Sequence, residues 1–239
     1  MKILSIGNSF SQDAQRYLHR IAAINNKDLT CANLYIGGCT LKRHYINLTD
    51  NEAAYNFQFN GEDTNLKISI KTAVKSNDWD YITIQQASHE SFNFESYIPY
   101  LEKINEWLRL RSDAKILLHQ TWAYPQNMKR LSEMGFKTTE EMFYSVKDAY
   151  ERAKDIIHPD GMIKSGEAML KAYQLIPEIV YRDDIHASYG FGRYLLGCVW
   201  YSFLFGEVPK NNIINFDENV ADEYFEIISK ILYSNSDVV

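Results

Sequence analysis

A short apolar run, Ile3, Leu4 and Ile6, stops at Gly7-Asn8-Ser9, and helical spacing takes over from about Ser11. An apolar run of that length bounded by turn residues reads as a buried strand. A strand that turns tightly into a helix is the opening unit of an open α/β sheet. In such sheets ligands bind at the carboxyl ends of the strands, where backbone N–H groups at helix starts face anions. Ser9 is therefore expected at a strand end, beside a helix N-terminus.

The alternation continues along the chain. Ala14, Tyr17, Leu18, Ile21 and Ala22 recur at helical spacing and predict one helix over about residues 12–25. Strand-like runs follow at 29–36, 80–86 and 115–119, with a short extended piece at 162–164. Helical runs occupy 95–109, the segment opened by Thr138 with Glu140 and Glu141, 167–173, 188–205 and 219–232. Residues 55–71 differ: NFQF and LKISI alternate about Asn60-Gly61, a hairpin signal expected to form an excursion from the main sheet. The irregular stretch 121–137, with Trp122, Tyr124 and Pro125, has the length of a functional loop. Strands alternating with helices predict an α/β fold, a mainly parallel sheet covered on both faces. No repeat, low-complexity tract or linker interrupts it, so a single domain over 1–239 is expected.

Charge and cysteine usage narrow the function. Lys and Arg number 25 against 31 Asp and Glu, for a formal net charge of −6, and no basic cluster stands out, so nucleic acid is a poor partner. Cys31, Cys39 and Cys198 cannot all pair with one another and lack metal-ligand spacing, which points to reduced, buried thiols. His19, His44, His89, His119 and His158 form no HExxH-like pair, so no metal or other cofactor is expected. The apolar run 195–205 falls short of the ~20 residues a membrane span requires and reads as a core helix. The first strand begins at residue 2 or 3. The expected compartment is therefore the cytoplasm, or an exported one if a leader has been removed.

Four segments carry chemistry. A hydroxyl becomes a nucleophile only when a base removes its proton, and Ser9 alone is equally a turn residue. Asp183-Asp184-Ile185-His186 supplies the base. Neutral imidazole abstracts protons near pH 7, and a carboxylate three residues earlier can fix its tautomer. The competing reading has Asp183 or Asp184 capping the helix that follows. Gly37-Gly38 and Gln85-Gln86-Ala87-Ser88 end the second and third strands. The Gly38 N–H and the Gln86 amide are of the type an oxyanion requires, although a tight turn and a capping amide would account for them too. Ser11 and Ser88 are fallback nucleophiles. Gly190, Gly192 and Gly197 read as close-packing positions.

GNS at 7–9, the glycine turn at 37–38, the polar end of the third strand and the DxxH at 183–186 together resemble the four sequence blocks of the SGNH/GDSL hydrolase superfamily. The chain is similar to a bacterial branch with GNSFS and QxAS signatures. The resemblance implies a flavodoxin-like three-layer α/β/α sandwich, with Ser9 as nucleophile, His186 as base and Asp183 as orienter. It implies an oxyanion hole from Ser9, Gly38 and a polar side chain of the third block. The usual Gly-Asp-Ser is Gly-Asn-Ser here. The usual Gly-x-Asn-Asp is absent, so Gln86 takes the third position, with Gln85 and His89 as alternatives.

The expected activity is cofactor-independent hydrolysis of a carboxylic ester through an acyl-enzyme. The preferred substrate is a small-molecule or carbohydrate ester, with acetyl as the acyl group. Trp122 and Tyr124 are candidate stacking surfaces for a sugar, and His119, ending the fourth strand, is a candidate pocket residue. A binding or accessory protein of the same fold, a lipase or thioesterase type, and a phosphate binder using the strand-end glycines are the rivals. The missing glycine-rich phosphate loop argues against the last.

Overall fold

In the computed structural model, residues 1–212 and 221–233 are described. The chain opens with β1 (Lys2–Gly7), α1 (Ser9–Gln15), α2 (Leu18–Ile24), β2 (Thr30–Tyr35) and α3 (Leu41–Asp50). The hairpin β3 (Tyr55–Phe59) and β4 (Glu62–Ile68) leads into α4 (Ile70–Lys75) and β5 (Tyr81–Ile84). After a 3₁₀ turn (Phe94–Tyr97) come α5 (Tyr100–Arg109), β6 (Lys115–His119), α6 (Lys129–Glu133), α7 (Thr139–Ile157) and β7 (Gly161–Ile163). Helices α8 (Ser165–Leu175), α9 (Pro177–Val180), α10 (Phe191–Phe205) and α11 (Asp222–Tyr233) complete the described chain.

The sheet has seven strands in the order β4-β3-β2-β1-β5-β6-β7. β2, β1, β5, β6 and β7 run parallel, and the hairpin adds two antiparallel strands at one edge. The chain moves from β1 outward to β2, then crosses back over β1 to β5. The carboxyl ends of β1, β2 and β5 therefore meet at a topological switch point. Helices α1, α2, α8, α10 and α11 pack on one another as one layer, and α3, α4, α5 and α7 form another. The expected parallel α/β sandwich is the observed fold.

The structure departs from the sequence reading in several places, among them a short helix, α6, inside the stretch expected to be irregular and α10 starting at Phe191 rather than 188. The hairpin is no excursion: β3 pairs with β2 from Ala32↔Phe59 to Tyr35↔Asn56, covering what would otherwise be an open strand edge. The helix expected over 12–25 starts earlier, at Ser9, because the Asn8 side chain caps it, and breaks between α1 and α2. The hairpin tip presses on that break; a Cβ on Gly61 would lie 2.4 Å from the Arg16 carbonyl oxygen. The run at 95–109 is interrupted at Pro99, which offers no backbone N–H to a helix. The start expected at 219 lies outside the described residues. As expected, Thr138 caps α7 in a capping box with Glu141. Gly192 and Gly197 are close-packing positions: a Cβ would lie 2.6 Å from the Val180 carbonyl oxygen at the first and 2.7 Å from Ile21 Cδ1 at the second.

Candidate active site

The switch point gathers the polar strand ends. Ser9 is the first residue of α1, half-buried, directly behind its cap Asn8. The turn is tight because Ser11 folds beneath it. The Ser11 hydroxyl, with one proton to give, lies within donating reach of the Asn8 carbonyl oxygen (2.9 Å) and Asn33 Oδ1 (2.8 Å), and it accepts from Asn8 N–H (3.1 Å). A Cβ on Gly7 would sit 2.0 Å from that hydroxyl, so only glycine fits there. Ser11 is fully buried in this capping role, and Ser88, 8 % exposed, pairs its hydroxyl with Tyr124 at 2.9 Å. Neither fallback serine competes with Ser9.

The DxxH segment forms its own tight loop. Tyr181 and Ala187 make an antiparallel bridge, and Arg182 N–H donates to the His186 carbonyl at 3.1 Å. Asp183 Oδ1 accepts from the backbone N–H of Ile185 (2.9 Å) and His186 (2.7 Å), an Asx turn that displays the imidazole. The following helix, α10, starts at Phe191 behind Gly190, and the side chain accepting from its first turn is Ser188, whose Oγ takes Gly192 N–H at 2.8 Å, so neither aspartate caps it. His186 Nδ1 lies 2.9 Å from Asp183 Oδ2 and 3.1 Å from Oδ1, while Nε2 lies 2.9 Å from Ser9 Oγ. A carboxylate only accepts, so Nδ1 carries the proton and Nε2 is left to accept the Ser9 hydroxyl. Burial alone would raise the Asp183 carboxyl. The N–H groups of Ile185 and His186, with the imidazole, outweigh it and hold the carboxyl below its ordinary range.

Asn8 ties the other blocks to this turn. Its Oδ1 accepts from Phe10 N–H (3.0 Å) and Gln85 Nε2 (2.7 Å), and its Nδ2 donates to the Cys39 carbonyl (3.2 Å). The last bond holds the Gly37-Gly38 turn beside Ser9. Gly38 has φ +59°, a left-handed conformation natural to glycine. The backbone N–H groups of Ser9 and Gly38 donate to no acceptor among the described residues, Ser9 being half-buried and Gly38 exposed.

The Gln86 amide, expected as an oxyanion donor, makes its hydrogen bonds elsewhere in this structure. It is fully buried; its Nε2 donates to the Ser96 carbonyl (3.2 Å) and hydroxyl (2.9 Å), and its Oε1 accepts from Leu41 N–H (2.9 Å). It is a strut between the second and third blocks. Gln85 is committed as well, with Oε1 2.6 Å from His119 Nδ1 and Nε2 on Asn8. His89, half-buried, has no hydrogen-bond partner among the described residues, and its Cε1 lies 3.8 Å from where a Gly38 Cβ would stand.

The three residues expected to touch substrate lie inside the protein. Trp122, Tyr124 and His119 are all 0 % exposed. Trp122 stacks on Phe10 at 3.8 Å and donates Nε1–H to the Ile185 carbonyl at 2.9 Å, so it braces the DxxH loop against α1. His119 belongs to a directional chain. Trp200 Nε1–H donates to Ser165 Oγ (3.3 Å), Ser165 to His119 Nε2 (3.0 Å), His119 to Gln85, and Gln85 to Asn8. Burial pushes the His119 imidazole down to about 3, so it stays neutral. A cleft of about 370 Å³ borders Asp183, walled by Pro125, Met128, Tyr173, Pro177 and Tyr181 with Gln126, Glu178 and Arg182 at its edge.

Two interactions had no counterpart in the sequence reading. Asp13, one helical turn past Ser9, is 0 % exposed and bonds Arg182 and Arg193. The signal was present, since a carboxylate on the apolar face of a helix requires buried cationic partners. The role of Asn8 as a three-way bridge is the other.

The mostly parallel seven-stranded sheet flanked by helices has the fold of solved SGNH/GDSL hydrolase structures. A protein from Slackia heliotrinireducens classed with the SGNH hydrolases shares the fold (TM-score 0.63, 19% identity, 85% of this chain and 98% of its own). So does a member of the lipolytic protein G-D-S-L family from Veillonella parvula (TM-score 0.55, 10% identity, 86% and 97%). The profile of DUF4886, a domain of unknown function, matches residues 2–230, and the chain belongs to that family. A DUF4886 family protein from Bacteroides uniformis has a crystal structure similar over 99% of this chain and 96% of its own, with 30% identity and a TM-score of 0.86. No curated protein matches the sequence at a significant level.

Proposed function

We propose that the protein is a serine hydrolase that cleaves carboxylic esters through an acyl-enzyme on Ser9. The observation that carries this reading is the 2.9 Å approach of Ser9 Oγ to His186 Nε2, with the Asp183 carboxylate on the opposite ring nitrogen. As Ser9 Oγ bonds to the ester carbonyl carbon, Nε2 takes the hydroxyl proton. The developing oxyanion is held by the N–H groups of Ser9 and Gly38, and by His89, which we assign as third donor in place of Gln86. Collapse expels the alcohol, which takes the proton from His186. Water then attacks the acyl carbon while Nε2 removes its proton, and a second collapse frees the acid and returns the proton to Ser9. Asp183 remains ionised and steadies the imidazolium.

The finer reading is an acetyl group on a carbohydrate. It draws on the likeness of the GNSFS and QxAS segments. With Trp122 and Tyr124 interior, Tyr173 and Tyr181 of the cleft beside Asp183 are the aromatic surface offered to the alcohol part. Labelling with a fluorophosphonate probe and mapping the adduct by mass spectrometry tests the assignment. The adduct is expected on Ser9, and p-nitrophenyl acetate should turn over faster than the octanoate. An adduct on another serine, or none in folded protein, rejects the reading. A binding or accessory protein of the same fold would give no turnover above a Ser9→Ala control.

A further inference from the structure

Asp13 lies four residues after Ser9 on α1, so the two side chains stack on one face of the same short helix. Its fully buried carboxylate takes Arg182 Nη1 on both oxygens (3.0 and 2.9 Å) and Arg193 Nε on Oδ1 (2.8 Å). Arg182 immediately precedes Asp183, and Arg193 sits in the first turn of α10. One carboxylate thus ties both ends of the segment bearing Asp183 and His186 to the helix bearing Ser9. Arg182 also donates to the Ala187 carbonyl, and both guanidiniums lie against the Tyr189 ring, at 4.7 and 4.8 Å.

A second distance gives this cluster a chemical consequence. Arg182 Nε stands 3.9 Å from Asp183 Oδ2, the same oxygen that lies 2.9 Å from His186 Nδ1. The charged groups on the elements joined here are Asp183, Asp184 and Arg182 on the imidazole's own segment, Asp13 on α1 and Arg193 on α10, and of these Asp183 contacts the ring. Arg182 is only 16 % exposed, so loss of its partner would leave a poorly solvated cation beside an anion within reach. A shift of about 1 Å would close that gap and draw Asp183 away from the ring, a misplacement that costs on the order of 10²-fold in rate.

We propose that Asp13 is a positioning residue for the Asp183–His186 pair: by holding Arg182 on its own carboxylate, it keeps that guanidinium off Asp183. The proposal rests on the reading of Ser9, Asp183 and His186 as a triad. It differs from a plain structural brace, under which every break in the cluster would loosen the loop alike.

The test uses the full chain with Asp13→Asn, which is nearly isosteric. kcat for p-nitrophenyl acetate should fall on the order of 10²-fold with KM within about twofold. The low-field proton resonance of His186 Nδ1–H on its carboxylate should be lost from the NMR spectrum. Asp13→Asn combined with Arg182→Met should recover both, because the competing cation is gone. If Asp13→Asn does not fold, Arg182→Met alone decides, and the proposal expects the resonance kept. Loss of the resonance in Arg182→Met, failure of the double variant to recover, or an unchanged Asp13→Asn would overturn the proposal. Parent protein that neither turns over ester nor labels at Ser9 would sink the hydrolase reading, while the resonance still reports on Asp13.

Discussion

Asn8 Nδ2 donates to the Cys39 carbonyl across 3.2 Å, joining the Gly7-Asn8-Ser9 turn to the glycine turn at 37–38. The same amide accepts from Phe10 N–H and Gln85 Nε2 through its oxygen. An aspartate, the residue the SGNH resemblance leads one to expect at this place, could accept both of those bonds but could not make the first. In this chain Asn8→Asp would set a buried carboxylate against a carbonyl oxygen. We expect a loss of about 1–3 kcal/mol in unfolding free energy and slower turnover from a displaced Gly38. Chemical denaturation and kcat measure the two effects. Unchanged stability would mean that the Cys39 bond contributes nothing.

Ser9→Ala or His186→Ala should lower kcat by on the order of 10³-fold or more, because nucleophile and base act as a unit. The double variant should be hardly worse than either single one. Losses that multiply would show two groups working separately, against the 2.9 Å contact between them.

His89 and Gln86 separate cleanly. His89→Ala should reduce kcat by about 10²-fold with intact stability, the usual effect of losing one oxyanion donor. Gln86→Ala should reveal itself first as lost stability, since it leaves the buried Leu41 N–H without its acceptor and removes the amide that donates to Ser96. Thermal melts alongside kinetics distinguish these outcomes. A rate loss in Gln86→Ala without a melting shift would return the donor role to Gln86.

Much of this arrangement was legible in the sequence because it follows from strand ends. Parallel strands project their carboxyl ends to one edge, so Ser9, Gly38, Gln86 and His119 were expected near one another, and the DxxH spacing allowed Asp183 to reach His186. Side-chain direction was not legible. Gln85 and Gln86 are adjacent, yet one bonds to Asn8 and the other to Ser96, a difference set by partners far away in sequence. Trp122 and Tyr124 looked like surface aromatics because their segment is irregular. They are buried because the loop folds inward, Trp122 onto Phe10 and Tyr124 onto Ser88. The hairpin was legible as a hairpin, but its pairing with β2 is a long-range choice that local alternation does not encode.

Two buried histidines should make the protein sensitive to acid. His119, bonded to Gln85 and Ser165, and His44, bonded to Tyr55, are both pushed by burial from 6.5 down to about 3. In the unfolded chain both titrate near 6.5. Above that pH neither state carries these protons and stability is complete. Between 6.5 and about 3 the unfolded state binds protons that the folded state refuses, so stability is lost as the pH falls. The slope is roughly 1–2 kcal/mol per pH unit for each histidine, or about 4 kcal/mol for the pair by pH 5. Set against a typical total of about 5–15 kcal/mol, that loss is large. Urea unfolding at pH 8, 6.5 and 5 should give equal stability at the first two values, to within the onset of titration, and a marked drop at the third. His119→Gln, which keeps a donor and an acceptor in the chain from Ser165 to Gln85, should roughly halve the drop. A stability that stays level from pH 6.5 to 5 would mean the two imidazoles accept protons in place, and would remove the reason for regarding the chain through His119 as fixed in direction.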